Sequence, residues 1–258
     1  MGRGFFTALL LAALLPAQAE ELRVTFGSEY FTWREYDSAS RLLEETGLRH
    51  FIGLAAESTP QADWGYGLRS RLYLGQVAYD GQTQSGAPHA TRTDYLGWTA
   101  ELDFTHRFLS ASAEPYVWGI TVSLGYDSWL RSLHDKGDVY GYDERYDVGY
   151  GRLGAIYSGD HGWQLQGGVK LPFYTREDVG LTRLGFDSDP SLKPKPDYSL
   201  YAAVSYRLNS RWDLGGYYDS YRFRPSDSAL VSGGGSLYSV YQPKSQQDSI
   251  GFYLNYRF

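Results

Sequence analysis

Hydrophobic and polar residues alternate with a period of two along most of the chain. The final residues show this clearly, since Ile250, Phe252, Leu254, Tyr256 and Phe258 fall on one face and mostly polar or small residues fall between them. Successive side chains of a β-strand point to opposite faces of a sheet. The period therefore predicts a strand with one apolar face.

Ten segments alternate in this way and are predicted as strands. Each is long enough to cross a bilayer when tilted, which takes about 9–11 residues. The predicted fold class is all-β, a transmembrane antiparallel up-and-down β-barrel of about ten strands, with eight or twelve also compatible with the pattern. The ten segments are residues 22–36, 47–57, 64–80, 93–108, 115–129, 144–158, 162–174, 197–208, 211–223 and 246–258.

Two of these segments change phase. In residues 144–158 the apolar side chains lie at even positions up to Tyr150 and at odd positions from Leu153, which predicts a β-bulge near Gly151. In the first segment, Phe31 follows Tyr30 directly and predicts a similar irregularity.

The connections between the segments alternate between long and short. This asymmetry is typical of outer-membrane barrels, which have short periplasmic turns and longer external loops, so both chain ends are expected on the periplasmic side. The predicted long loops are residues 37–46, 81–92, 130–143, 175–196 and 224–245, and the short turns are 58–63, 109–114, 159–161 and 209–210.

A soluble periplasmic barrel with its apolar face inward is the alternative fold, because periodicity alone does not tell inside from outside. The length of the segments favours a membrane barrel, and so do the aromatic residues near their ends, where an interfacial girdle lies. These aromatic residues include Trp64, Tyr66, Tyr95, Trp98, Tyr116, Trp118, Trp163, Trp212, Tyr256 and Phe258.

The first 19 residues predict a secretory signal peptide cleaved after Ala19. Arg3 precedes an apolar run from Phe5 to Leu15, and small residues at positions 17 and 19 follow. The run is too short to cross about 30 Å of hydrocarbon as a helix. Residues 20–258 are then expected to form one barrel domain. The chain has no cysteine, which excludes disulfides and a lipid-anchored N-terminal cysteine.

Composition and charge narrow the class further. Aromatic residues make up 17% of the chain and glycine occurs 30 times, as in many all-β proteins. The formal net charge is −6, with no basic domain to meet phosphate backbones, so nucleic acid is not an expected partner.

The C-terminal strand resembles the β-signal of bacterial outer-membrane proteins, carried by Phe252, Leu254, Tyr256 and the terminal Phe258. The resemblance implies a Gram-negative outer-membrane β-barrel, porin-like or of a small uncharacterised barrel family. It also implies recognition by the barrel assembly machinery and location in the outer membrane. The chain is expected to be a monomer surrounded by outer-membrane lipid and lipopolysaccharide.

The polar face of the predicted barrel carries charges of both signs. A barrel of about ten strands has a narrow interior, and unpaired charge there is costly. We therefore expect a mutually neutralising plug, and the alternative is a narrow porin-like channel for small solutes lined by the same groups. The predicted lumen residues are Glu29, Glu57, Arg69, Arg71, Glu101, Asp103, Asp127, Arg152, Lys170, Arg207, Asp213, Asp219 and Arg257.

Catalysis is a third hypothesis. The omptin proteases, which have ten strands, place aspartates and an Asp–His pair at the external rim, and the comparable candidates here are His134 with Asp135 and His89 with Asp94. A His–carboxylate pair can activate water. The spacing matches no omptin motif.

A lipid A-modifying enzyme is another possibility of this kind, since it needs His and Ser on the lipid face. His50 lies at a suitable height, without a His-x-Ser pattern. The acidic loop pieces at 177–180 and 187–190 lack the spacing of a calcium site. No metal or cofactor is predicted.

Arginines near the predicted external ends suit lipopolysaccharide phosphates, which guanidinium groups bind in a two-pronged geometry. The predicted function is a structural or surface-interaction role through the long external loops. The arginines are Arg34, Arg41, Arg49, Arg92, Arg131, Arg145, Arg176, Arg183, Arg222 and Arg224.

Overall fold

A computed structural model of the protein describes residues 21–58, 63–83, 86–108, 117–159 and 161–258. The predicted signal peptide and the whole predicted turn at 109–114 lie outside the described residues, as do the start of the fifth predicted strand with Tyr116 and most of the turn at 58–63. In the part of the chain that is described, no helix is long and apolar enough to cross a membrane.

Ten long antiparallel strands form a closed barrel in which each strand pairs with the next along the chain and β1 pairs with β14. The predicted ten-strand up-and-down barrel is confirmed. The barrel strands are β1 (Glu21–Asp37), β2 (Ser40–Glu57), β3 (Trp64–Gln82), β4 (Pro88–Phe108), β5 (Val117–Leu133), β6 (Asp143–Ser158), β7 (Trp163–Val179), β10 (Ser199–Arg207), β11 (Trp212–Arg224) and β14 (Lys244–Arg257). The shorter strands are β8 (Ser191–Leu192), β9 (Lys195–Pro196), β12 (Ala229–Gly233) and β13 (Ser236–Val240).

The apolar positions of the barrel strands point outward and the alternate positions point into the lumen. Leu96, Phe104, Ile120 and Leu124 are each about half exposed, as a lipid-facing belt requires. Aromatic residues collect on this outer surface at the end with the short turns, which we call the turn end. They include Trp64, Trp118, Trp163, Trp212, Tyr256 and Phe258.

The two predicted phase changes were wrong. Along β6, Tyr146, Val148 and Tyr150 are buried while Leu153 is exposed, so even positions face inward throughout. β1 likewise pairs with β14 in one continuous register. The sequence pattern changes phase because the inward-facing residues become aromatic towards the end of the barrel opposite the turn end.

The irregularity near the middle of this region belongs to β7. Gly149 pairs with Tyr174 and Tyr150 pairs with Pro172, so Phe173 is an extra residue in β7. A second register shift lies between Glu35 and Tyr36, where β1 meets β2. The inward parity of β7 therefore changes from even at Lys170 to odd at Glu177.

The prediction of a long loop at residues 37–46 was wrong. β2 begins at Ser40, and a two-residue turn joins it to β1, with Ser38 at a φ of 55°. β4, β5 and β7 also extend past their predicted bounds at the same end of the barrel. The strands are longer there because that half of the lumen is packed with side chains.

The last two long loops fold over this end of the barrel, and we call residues 180–198 and 225–243 the cap. The first contains a 3-10 helix, Leu181–Leu184, followed by β8 and β9. The second contains the hairpin β12–β13, closed by Gly234 and Gly235 at φ of 58° and 80°. The two loops share a small apolar core of Val179, Leu181, Leu192 and Val231, flanked by Tyr142, Leu184, Phe186, Ala229 and Val240.

Candidate functional site

The turn-end half of the lumen contains a polar cavity of about 280 Å³. Its wall includes Ser58 and Tyr66 near the strand ends and Asp127 and Tyr150 in the middle of the barrel. The charged groups that line it belong mainly to ion pairs.

Arg69 Nε lies 2.7 Å from Asp103 Oδ2, and the same guanidinium also bonds Glu101. Arg152 joins Glu101 to Asp219, at 3.2 Å to each carboxylate. Opposite charges inside a narrow barrel thereby offset one another's desolvation cost.

A second group of ion pairs crosses the middle of the barrel. Glu29 accepts hydrogen bonds from Arg49 Nε at 2.7 Å, from Arg71 Nη1 at 3.3 Å and from the Tyr217 hydroxyl. Lys170 Nζ lies 2.8 Å from Asp219 Oδ1 and 3.4 Å from the centroid of the Tyr221 ring. These contacts join strands that are neighbours or lie two apart around the barrel.

An aromatic layer fills the lumen beyond these pairs. Trp33, Trp129 and Tyr146 form one cluster, with Trp129 stacked on Tyr146 at a centroid distance of 4.9 Å. The Arg49 guanidinium carbon lies 3.8 Å from the centroid of the Phe31 ring, a cation–π contact. The large side chains of the layer are at most 2% exposed: Phe31, Trp33, Tyr73, Tyr95, Trp129, Tyr146, Tyr221 and Phe223.

A buried acidic cluster lies between the aromatic layer and the cap. Arg131 Nη2 lies 2.9 Å from Glu45 Oε1, and Arg131 Nη1 bonds Glu144 and lies 3.7 Å from Glu35 Oε1. One guanidinium group is thus the shared cation of three carboxylates. Both carboxylate oxygens of Glu177 are buried without a hydrogen-bond partner.

The structure places the predicted lumen residues on the inner face. Glu57 pairs with Arg23, and Asp213 pairs with Arg257 at 2.5 Å. Tyr73 and Tyr221 donate hydrogen bonds to Asp127. Arg207 shares this inward register but lies exposed at the turn end of β10.

The sequence analysis missed the charges nearest the cap. Glu35 shares the parity of Glu29, and Arg131 shares that of Asp127, so the alternation alone could have assigned both to the lumen. Glu177 could not be found in this way because the extra residue in β7 reverses its parity.

Two of the arginines that were predicted to face lipopolysaccharide lie elsewhere in the structure. Arg49 and Arg131 lie inside the barrel and are 2% and 1% exposed. Others of the set do lie on the outer surface above the apolar belt. There, Arg34 Nε lies 2.6 Å from Glu44, and Arg222 Nη2 lies 2.5 Å from Asp248.

The histidine candidates pair differently from the prediction. His134 Nε2 lies 2.7 Å from Asp94 Oδ2, and Gln76 donates to the other oxygen of that carboxylate at 2.8 Å. Asp135 instead pairs with Arg183 at 2.9 Å. His89 packs edge-on against Tyr79. The His134–Asp94 pair is about half exposed.

A pH effect is expected at Asp135, in the loop between β5 and β6. The Gly141 amide donates to Asp135 Oδ1 at 2.6 Å and, together with the Arg183 guanidinium, lowers the pKa of this carboxyl. A lowered pKa means that the contact persists as pH falls below the ordinary aspartate range and is lost only at the lowered value. An NMR titration of the Gly141 amide shift is expected to show this late midpoint, and Arg183→Ala is expected to raise it. A midpoint in the ordinary range would contradict the assignment.

A Ser–His pair lies on the outer surface of the barrel. Ser28 on β1 is opposite His50 on β2, and Ser28 Oγ lies 2.8 Å from His50 Nδ1. A search for His-x-Ser along the chain misses this pair because it forms across two strands. Its neighbours on this face, Tyr30, Leu48 and Ile52, are apolar or aromatic and exposed. The hydrogen bond satisfies both polar groups within the apolar belt.

No cluster of His, Cys, Asp or Glu in the described ranges is arranged to hold a metal ion.

Comparison with solved structures identifies the class of the fold. The outer membrane protease OmpT of Escherichia coli superimposes with a TM-score of 0.52 at 12% identity, over 93% of this chain and 97% of that chain. The translocator domain of the autotransporter NalP from Neisseria meningitidis gives a TM-score of 0.42 at 14% identity, over 98% and 95% of the two chains. OprG from Pseudomonas aeruginosa gives 0.36 at 12% identity, over 93% and 97%.

The chain has the fold of the bacterial outer-membrane β-barrels. No protein-family model matches the chain. No curated protein matches it either.

Proposed function

We propose that this protein is an outer-membrane barrel that is closed to solutes and serves as a rigid scaffold for a surface-exposed cap. The observation that carries the proposal is the aromatic layer, in which Trp33, Trp129 and Tyr146 pack in the lumen between the ion pairs and the buried acidic cluster with almost no exposed area. A scaffold of this kind needs a packed interior, which the aromatic layer provides, and a folded outer end, which the cap provides.

A narrow channel is the alternative function for the same lumen, and the ion pairs support it less well. Its charges occur as bonded pairs such as Arg69–Asp103 and Lys170–Asp219, which leaves few groups free to handle a passing solute. The polar cavity lies on the turn-end side of the aromatic layer, so a solute entering there meets a closed end.

The proposed orientation places the cap outside the cell and the turn end in the periplasm, following the usual asymmetry of such barrels. The outward arginines Arg34 and Arg222 then lie just above the apolar belt, within reach of lipopolysaccharide phosphates. On β14, Phe252 and the terminal Phe258 remain exposed on the lipid side, which supports their proposed role as an assembly signal.

An enzyme is not the function that this geometry favours. The Ser28–His50 pair lies among apolar neighbours, and the contacts that position it include no carboxylate on the second imidazole nitrogen. A hydrolytic site needs a base oriented by a third group.

Single cysteines test the surface role directly, because the natural chain has none. Leu237→Cys on the cap hairpin is expected to react with a membrane-impermeant maleimide added to whole cells. Ser58→Cys at the turn end is expected to react only after the outer membrane is permeabilised. Gel mobility before and after heating confirms that each variant is folded.

Labelling of the Ser58→Cys variant in intact cells, at the rate of the Leu237→Cys variant, would overturn the proposal. Such a result would mean that the lumen lets the reagent through, whereas labelling of the Ser58→Cys variant alone would mean the opposite orientation.

A further inference from the structure

The cap hairpin has one covered edge and one open edge. On the β12 side, Phe186 bridges to Gly233, and the Asp187 amide donates to the Ser232 carbonyl at 2.8 Å. On the other side, β13 pairs only with β12 in the described chain. An open strand edge presents unpaired backbone donors and acceptors to any extended chain.

The hydrogen-bond pattern of the hairpin identifies the free groups. A two-residue turn makes Gly233 and Ser236 a hydrogen-bonded pair, and the bonded pairs then alternate along the ladder. Ser236, Tyr238 and Val240 therefore bond β12. The amides and carbonyls of Leu237 and Ser239 point to the open edge.

This edge lacks the features that normally prevent pairing with other chains. In soluble proteins, the edge strands of β-sheets are usually protected by charged residues, proline or bulges. Residues 228–241 contain no charge and no proline, whereas the other cap strands lie in the run Leu192-Lys193-Pro194-Lys195-Pro196. The same cap therefore protects one of its edges and leaves the other able to pair.

The side chains beside the open edge are apolar and uncovered. Leu230 and Leu237 are diagonal neighbours on one face of the hairpin and are 72% and 74% exposed. The opposite face is anchored, since Val231 is buried in the cap core and Tyr238 packs against Phe186. The hairpin is thus held in place while its outer face and outer edge stay free.

We infer that β13 is a strand-addition site for an extended, uncharged segment of a partner polypeptide. The partner's backbone pairs with Leu237 and Ser239, and its alternate apolar side chains pack on Leu230 and Leu237. The inference rests on the proposed surface role and adds the chemistry of the partner to it.

The test uses the refolded full barrel and a fluorescent peptide that copies residues 228–233, a sequence that already pairs with the other edge of β13. Saturable binding to the wild type is expected, measured by fluorescence anisotropy. Ser239→Pro removes an outward amide and leaves the β12 ladder intact, so the affinity is expected to fall by about tenfold or more. Ser239→Thr keeps the amide and is expected to bind like the wild type.

A peptide that is N-methylated on alternate amides is expected not to bind, since it cannot complete the ladder. Failure of the unmodified peptide to bind, or equal binding to the wild type and to Ser239→Pro, would overturn the inference. So would self-association of the barrel that depends on the Ser239 amide and that the peptide does not compete for, because a second copy would then be the occupant.

The two proposals fail separately. If the peptide fails while Leu237→Cys is still labelled from outside the cell, only the strand-addition site is lost. If Leu237→Cys is not labelled, the surface role is lost as well.

Discussion

Replacing Arg131 with methionine is expected to destabilise the barrel by about 3–5 kcal/mol, the cost of leaving buried charges without their partner. Arg131 is 1% exposed and is the cation that Glu35, Glu45 and Glu144 share. Chemical unfolding in detergent, followed by tryptophan fluorescence, measures the difference. We expect this loss of stability to be large because three carboxylates share one guanidinium group.

Arg183→Met is the matched control, because the Arg183–Asp135 pair is half exposed and solvent screening leaves it little effect on stability. Equal losses in the two variants would contradict the buried network.

Replacing Trp33 with alanine is expected to cost about 3–5 kcal/mol, as for other large aromatic residues removed from a packed interior. The Trp33 side chain is fully buried, lies 5.4 Å from Tyr146 between ring centroids, and donates from Nε1 to Glu35 at 2.8 Å. The same unfolding measurement applies. The variant also leaves Glu35 with one hydrogen bond fewer in the layer above.

Trp118→Ala is the control for this prediction, since Trp118 is 57% exposed on the outer face. Its loss is expected to be on the order of 1 kcal/mol, because little buried area is removed. A larger effect at Trp118 than at Trp33 would mean that the lumen is not packed as described.

The period of two, together with the segment lengths, the loop asymmetry and the aromatic residues near the strand ends, predicted a barrel of about ten strands, because a strand that separates lipid from lumen must alternate along its length. It failed where the interior stops being polar. At Phe31 and at Tyr146 the inward residues are aromatic, so hydrophobicity no longer distinguishes the two faces. An apparent phase change in a barrel strand can therefore indicate a packed lumen as well as a bulge.

The candidate site was harder to predict because it depends on contacts across strands. The lumen charges near the turn end follow from parity, whereas Glu177 needs the extra residue in β7. The His134–Asp94 and Ser28–His50 contacts depend on strand register or loop position, which local spacing does not give. The long loop at 224–245 carried no sign of the hairpin's open edge beyond the lack of charge in residues 228–241.

Planar-bilayer conductance of refolded residues 20–258 tests the central claim that the lumen is sealed. Heat-modifiable gel mobility first confirms that the barrel is folded. A folded wild-type barrel is expected to give no discrete current steps. Regular steps from that protein, altered when Arg69 or Arg71 is changed to glutamate, would contradict the account and make the lumen a conducting pore.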